Sequence, residues 1–235
     1  MLDLQLGQST IHPTIVYDKE SWTLIDTGMP GSAAAIYEQA KQAGLDGKTL
    51  QSIIFTHQDV DHIGGFPQFL AAEGADLPVY AHPDDKGAID GTEPMFKMSR
   101  ERLDGMLQQL PEDIRNAYVQ TFLQPNRENV NRTVADGEIL PIAGGLTVIH
   151  TPGHTPGHIS LYHAPSKTLI TGDATIANED GQMIGPNPPF TPNWDQALQS
   201  LKKFKNFDIE HVICYHGGWI QKDVKRQINE LAELS

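Results

Sequence analysis

Cysteine is almost absent. Cys214 is the single one in 235 residues, so the chain can form no disulfide within itself and fits a reducing compartment. It stands in the apolar run His211-Val212-Ile213-Cys214, where a buried small hydrophobe is the natural reading. Long apolar runs are missing too. No stretch approaches the roughly 18 residues of a membrane span and no basic, apolar signal opens the chain, so a cytoplasmic protein without a membrane partner is expected. Basic charge is scarce: 17 Lys and Arg against 30 Asp and Glu leave a net charge of −13, which argues against a nucleic-acid partner. Lys202, Lys203 and Lys205 read as a solvated helix face. Repeats, low-complexity tracts and flexible linkers are lacking, and this length with 39% hydrophobic residues suits one domain, residues 1–235.

What the chain does hold is a dense set of metal-competent side chains. Thr56-His57-Gln58-Asp59-Val60-Asp61-His62-Ile63-Gly64-Gly65 packs two imidazoles and two carboxylates into one short turn, directly after the apolar run Ile53-Ile54-Phe55. A strand ending in such a cluster delivers its side chains to one sheet edge, and imidazole and carboxylate are donors that zinc, iron and manganese accept. A polar turn capping the next helix would account for one Asp, not for two Asp and two His.

Other strands end in the same manner. Thr14-Ile15-Val16-Tyr17 and Trp22-Thr23-Leu24-Ile25 read as a hairpin running into Asp26-Thr27-Gly28, followed by a helix over 33–43. Asp26 there is either a turn-former or a carboxylate that orients a metal ligand. Leu77-Pro78-Val79-Tyr80-Ala81 ends at His82-Pro83, where His82 reads as a helix-start residue. Leu146-Thr147-Val148-Ile149-His150 leads into Thr151-Pro152-Gly153-His154-Thr155-Pro156-Gly157-His158, whose prolines and glycines constrain the loop around His154. A second hairpin, over 159–163 and 168–171, ends at Gly172-Asp173. Residues 181–193 read as a loop, residues 194 onward as a helix, and the last strand ends at Tyr215-His216-Gly217-Gly218 before a closing helix over 221–234.

Between 84 and 132 the pattern turns helical. Leu103, Met106, Leu107 and Leu110 share one helix face, with Met95, Phe96, Met98, Ile114, Tyr118 and Phe122 around them. Such a stripe is usually core. Because it interrupts a run of strands, a helical hairpin beside the site, as lid or substrate wall, is the second expectation. Met and Phe facing a pocket would imply a small-molecule substrate with an apolar portion, and the same face could serve a homodimer.

Five strand ends thus carry Asp26 and seven candidate ligands: His57, Asp59, Asp61, His62, His154, Asp173 and His216. Zinc usually takes four ligands, so seven suit two divalent ions that share a carboxylate and a water.

The set Leu24-Ile25-Asp26-Thr27-Gly28, Thr56-His57-x-Asp59-x-Asp61-His62-x-Gly64-Gly65, the loop 151–158, Thr171-Gly172-Asp173 and Tyr215-His216-Gly217-Gly218 resembles the metallo-β-lactamase superfamily over nearly the whole chain. The resemblance implies an α/β fold, an αββα sandwich with a dinuclear site at one edge of the two sheets. It implies that His57, Asp59 and His154 hold a first metal, that Asp61, His62 and His216 hold a second, and that Asp173 bridges them. Asp61 and Asp26 would be the catalytic carboxylates, Asp26 acting from behind a ligand, while His158 would be structural.

One position departs from the family motif His-x-His-x-Asp-His, in which a histidine stands where this chain has Asp59. A carboxylate there lowers the Lewis acidity of the first ion and favours harder iron or manganese, which stand as alternatives to zinc, the first choice. Asp59 could also leave the first position weak or empty. The expected reaction is hydrolysis of an ester, lactone or thioester carbonyl by metal-held hydroxide, with lactonases and thioesterases the nearer members. An iron-dependent redox enzyme of the same fold and a non-catalytic metal-binding module stay open as alternatives.

Overall fold

The computed structural model describes residues 1–234 and places two β-sheets face to face between two layers of helices. The first sheet runs in the order Thr14–Tyr17, Ser21–Ile25, Thr49–Ile54, Val79–Ala81 and Arg132–Thr133. Its last four strands are parallel and the first pair is the expected antiparallel hairpin. The second runs in the order Gly218–Ile220, His211–Cys214, Thr168–Ile170, Ile159–His163, Leu146–His150 and Ile139–Leu140. All its pairs are antiparallel except that of Thr168–Ile170 with His211–Cys214.

Strand alternation produces the layering. Leu24 and Ile53 enter the helical layer, whereas their neighbours Ile25 and Ile54 enter the core between the sheets. In the second sheet Val212 faces helices and Ile213 faces the first sheet. With both faces covered, these strands read as unbroken apolar runs. Outside the first sheet lie helices α1 (Ala33–Gln42), α2 (Val60–Ile63), α3 (Phe66–Glu73), α4 (Pro83–Ile89), α5 (Arg100–Leu107) and α6 (Glu112–Tyr118); outside the second lie α7 (Trp194–Leu201) and α8 (Val224–Ala232). The αββα sandwich is therefore the architecture. No helix among the described residues is long and apolar enough to cross a membrane.

The segment 84–132 departs from the long helical hairpin. It holds α4, α5, α6 and a π-turn over Val119–Leu123, with Pro111, which has no backbone N–H to give, capping α6. Its stripe is core: Leu103, Leu107, Tyr118 and Phe122 are buried against Phe66, Phe69 and Ile63. Two short hairpins and the strand Gly218–Ile220 were not anticipated. Leu4–Leu6 pairs with Ser9–Ile11 at the N-terminus, and Met183–Ile184, inside the expected loop, pairs with Ile176–Ala177.

Candidate metal centre

The strand ends converge at one edge of the sandwich. His57, Asp59, His154 and Asp173 form one group, and Asp61, His62 and His216 a second, with ligand atoms in each within 4.8 Å of one another. Asp59 Oδ2 lies 3.3 Å from His57 Nε2 and 3.3 Å from His154 Nε2, and Asp173 Oδ2 lies 3.2 Å from His154 Nε2. In the second group Asp61 Oδ2 is 3.4 Å from His216 Nε2 and 3.8 Å from His62 Nε2. Asp173 reaches across, with Oδ1 at 3.3 Å from His62 Nε2 and Oδ2 at 3.5 Å from His216 Nε2.

These residues fit divalent ions on two observations. Ligands about 2.0–2.1 Å from a tetrahedral ion stand about 3.3–3.4 Å from one another, close to the spacing found. In addition, the buried atoms His57 Nε2, His62 Nε2 and Asp173 Oδ1 have no hydrogen-bond partner. A buried polar atom left unpaired costs about 1–3 kcal/mol, and one cation beside His57 Nε2 with a second beside His62 Nε2 and Asp173 Oδ1 would remove that penalty.

Hydrogen bonds behind the site fix which nitrogen faces it. His62 Nδ1 donates to Asp26 Oδ2 at 2.8 Å. Thr56 gives its backbone N–H and its hydroxyl to the two oxygens of the same carboxylate, at 2.8 and 2.7 Å. The Thr56 hydroxyl, its proton committed to Asp26, accepts His57 Nδ1–H at 3.1 Å. His154 Nδ1 reaches Thr191 Oγ1 at 3.4 Å, whose proton goes to the Asn187 carbonyl. All three imidazoles thereby turn an Nε2 lone pair inward. Asp26 sits at φ +61°, a left-handed conformation that Asp tolerates better than most residues.

Burial and neighbours set the charges. Burial, aided by neighbouring His62, pushes the His57 pKa down, and burial with the surrounding imidazoles pushes His158 well down. Burial opposes a charged His62, but Asp173, Asp26 and Asp61 outweigh it and raise its pKa well above the ordinary value. Asp173 in turn is held far below the usual carboxylate range by His62, His216 and His154 despite its burial. The carboxylates draw positive charge to His62, while burial keeps His57 neutral.

Other residues lock the loops in place, and sequence reasoning missed most of them. Asp85 of α4 is fully buried and accepts from Gln58 N, Gln58 Nε2, Thr155 Oγ1 and Gly157 N at 2.7–3.0 Å, tying the loop after His57 to the loop after His154. Gly157 has to be glycine, because a Cβ there would stand 2.6 Å from Asp85 N. Tyr215 stacks on His62 at 3.7 Å and gives its hydroxyl to the Asp61 carbonyl at 2.5 Å. His158, expected as structural, accepts the Asp173 N–H through Nε2 at 3.0 Å and contacts Thr151 Oγ1 through Nδ1 at 2.8 Å. His82 caps α4 through the Asp84 N–H and stacks on His150, so its helix-start role holds. His12 anchors the N-terminal hairpin through Leu2 O and Asp3 Oδ1.

Asp59, Asp61, His154, Asp173 and His216 open on a cleft of about 1090 Å³. Its apolar wall comes from Leu6, Ile176, Ala177, Phe190 and Trp219, not from the methionines and aromatics of segment 84–132. That segment instead supplies Asp85 and Lys97, whose ammonium pairs with Asp59.

The profile of the metallo-beta-lactamase superfamily matches residues 7–216, and the chain belongs to that family. It is 32% identical to the protein named "Probable metallo-hydrolase YflN" of Bacillus subtilis (strain 168), over 92% of this chain and 83% of that protein. An N-acyl homoserine lactonase of Bacillus sp. is 26% identical, over 95% of this chain and 90% of that one. Among solved structures, the metallo-beta-lactamase family protein TTHA1429 of Thermus thermophilus superposes with a TM-score of 0.69 at 24% identity, covering 99% of this chain and 77% of that chain. TTHA1623, solved in a di-iron-bound form, gives 0.66 at 23%, covering 97% and 98%. These superpositions establish the fold.

Proposed function

We propose that the chain is a metal-dependent hydrolase of a small ester, lactone or thioester that carries an apolar portion. The observation that carries this reading is the convergence of seven His and Asp ligand atoms, in two groups joined by Asp173, beside an open cleft. Divalent ions bound there supply a water acidic enough to attack near neutral pH and polarise the carbonyl under attack. His57, Asp59 and His154 would hold one ion, Asp61, His62 and His216 the other, and Asp173 both. Asp26 and Thr56 keep His62 and His57 in the ligating tautomer. Leu6, Phe190 and Trp219 would seat the apolar portion. Cys214 is no nucleophile: it is buried and its thiol is pushed up to about 11 by that burial.

A relative named as a lactonase and others named as hydroxyacylglutathione hydrolases support a carbonyl substrate. Zinc is the first choice of metal. Iron or manganese is the alternative, because Asp59 adds a hard oxygen donor. The test is metal content together with turnover on a panel of lactones, thioesters, phosphoesters and a cephalosporin. Hydrolysis confined to the lactones and thioesters is expected. A fully loaded protein that turns over none of them would be a metal-binding module, and iron with its colour would favour redox chemistry.

A further inference from the structure

Lys97 stands between α4 and α5, and its side chain is 12% exposed because it reaches inward. Its ammonium pairs with Asp59 Oδ2 and donates to His154 Nε2 at 2.5 Å and to the Phe190 carbonyl at 3.1 Å. Asp59 Oδ2 and His154 Nε2 are also two of the atoms spaced to hold the first ion. The His154 ring turns its Nδ1 toward Thr191, which leaves one lone pair at Nε2. That lone pair serves an N–H donor or a metal, not both. An ammonium and a divalent ion sharing these two atoms would also repel each other at short range with little water between them. The second group is different, since none of the hydrogen bonds or ion pairs of Lys97 reaches Asp61, His62 or His216.

We infer that Lys97 controls occupancy of the first metal position: its ammonium holds Asp59 and His154 in place of an ion, so the Asp61, His62 and His216 position fills first. An ion enters the first position only as Lys97 withdraws from these two ligands. Asp59 makes this arrangement work, because a carboxylate pairs with an ammonium where the neutral imidazole of the family motif would not. The inference deepens the hydrolase reading and rests on its assignment of the two groups as metal ligands.

The test is zinc stoichiometry, not activity. Full-length protein is stripped with a chelator, titrated with zinc against a chromophoric competitor, and repeated with cobalt to read the ligand field of each position. Wild type is expected to bind one equivalent tightly and a second weakly. Lys97→Met should tighten the second equivalent by about tenfold or more, and Lys97→Arg, which keeps the charge, should preserve the wild-type pattern. Equal affinity for two equivalents in wild type, an unchanged or weaker second equivalent in a folded Lys97→Met, or no zinc bound by any variant would each overturn the inference. Carbonyl hydrolysis measured on the same samples separates the two proposals. A stoichiometry that switches without turnover retains Lys97 and rejects the substrate, and turnover without a switch does the reverse.

Discussion

Asp26 accepts the Nδ1–H of His62 at 2.8 Å with both side chains sealed from solvent, so a carboxylate at the end of one strand sets the tautomer of a candidate ligand delivered by the next. Asp26→Asn keeps the size and tolerates the left-handed backbone but removes the charge that holds that proton. Metal affinity of the second position should fall by about 10–100-fold with the fold intact, as read by chelator competition and circular dichroism. Unchanged affinity would show that Asp26 does not govern His62.

Asp85 satisfies four buried donors from two loops, and alanine would orphan all of them. Asp85→Ala should cost about 3 kcal/mol or more of stability in urea unfolding. A loss below about 1 kcal/mol would mean that water replaces the carboxylate at little cost.

The metal-free protein should lose stability as pH rises. Burial works against a charged His216, yet Asp173 and Asp61 raise its pKa to about 10, and His62 is raised well above its usual value. A histidine whose folded pKa is raised contributes stability that is fully present below its unfolded pKa, about 6.5, and is lost as pH climbs through the folded value. Melting temperatures of chelator-treated protein should therefore fall between about pH 7 and about pH 9, and His216→Asn should flatten the slope. Zinc bound at His62 and His216 would take the place of these protons, so protein loaded with it should show the flatter profile and release protons on binding. Parallel profiles with and without metal would contradict this account.

Phe190 exposes 57% of its surface beside the cleft. If it seats the apolar portion of the substrate, Phe190→Ala should raise KM about tenfold for long-chain esters, with kcat nearly unchanged, because it removes binding shared by ground and transition states. The same KM shift for short and long chains would exclude that role.

The readable parts of this protein are those that depend on near neighbours in the chain. Ile53-Ile54-Phe55 ahead of His57 announces a buried strand and its edge, and His82-Pro83 announces a helix start that the structure confirms. Pieces of two or three residues do not show a period. Leu4–Leu6, Met183–Ile184 and Gly218–Ile220 pair with strands only three to eight residues away, and all three escaped a reading by alternation because they are too short to show one. They are the elements that carry or border the cleft residues Leu6 and Trp219.

The sequence by itself named the candidate ligands, because clustered His and Asp at strand ends are local patterns, and the family resemblance carried by those motifs implied the layered architecture. Only the tertiary structure decided what surrounds those ligands. Asp85 lies 70 residues from Thr155, Lys97 lies 57 from His154, and Asp26 lies 36 from His62. Hydrogen bonds over such separations form once the sheets have packed, and no spacing along the chain encodes them.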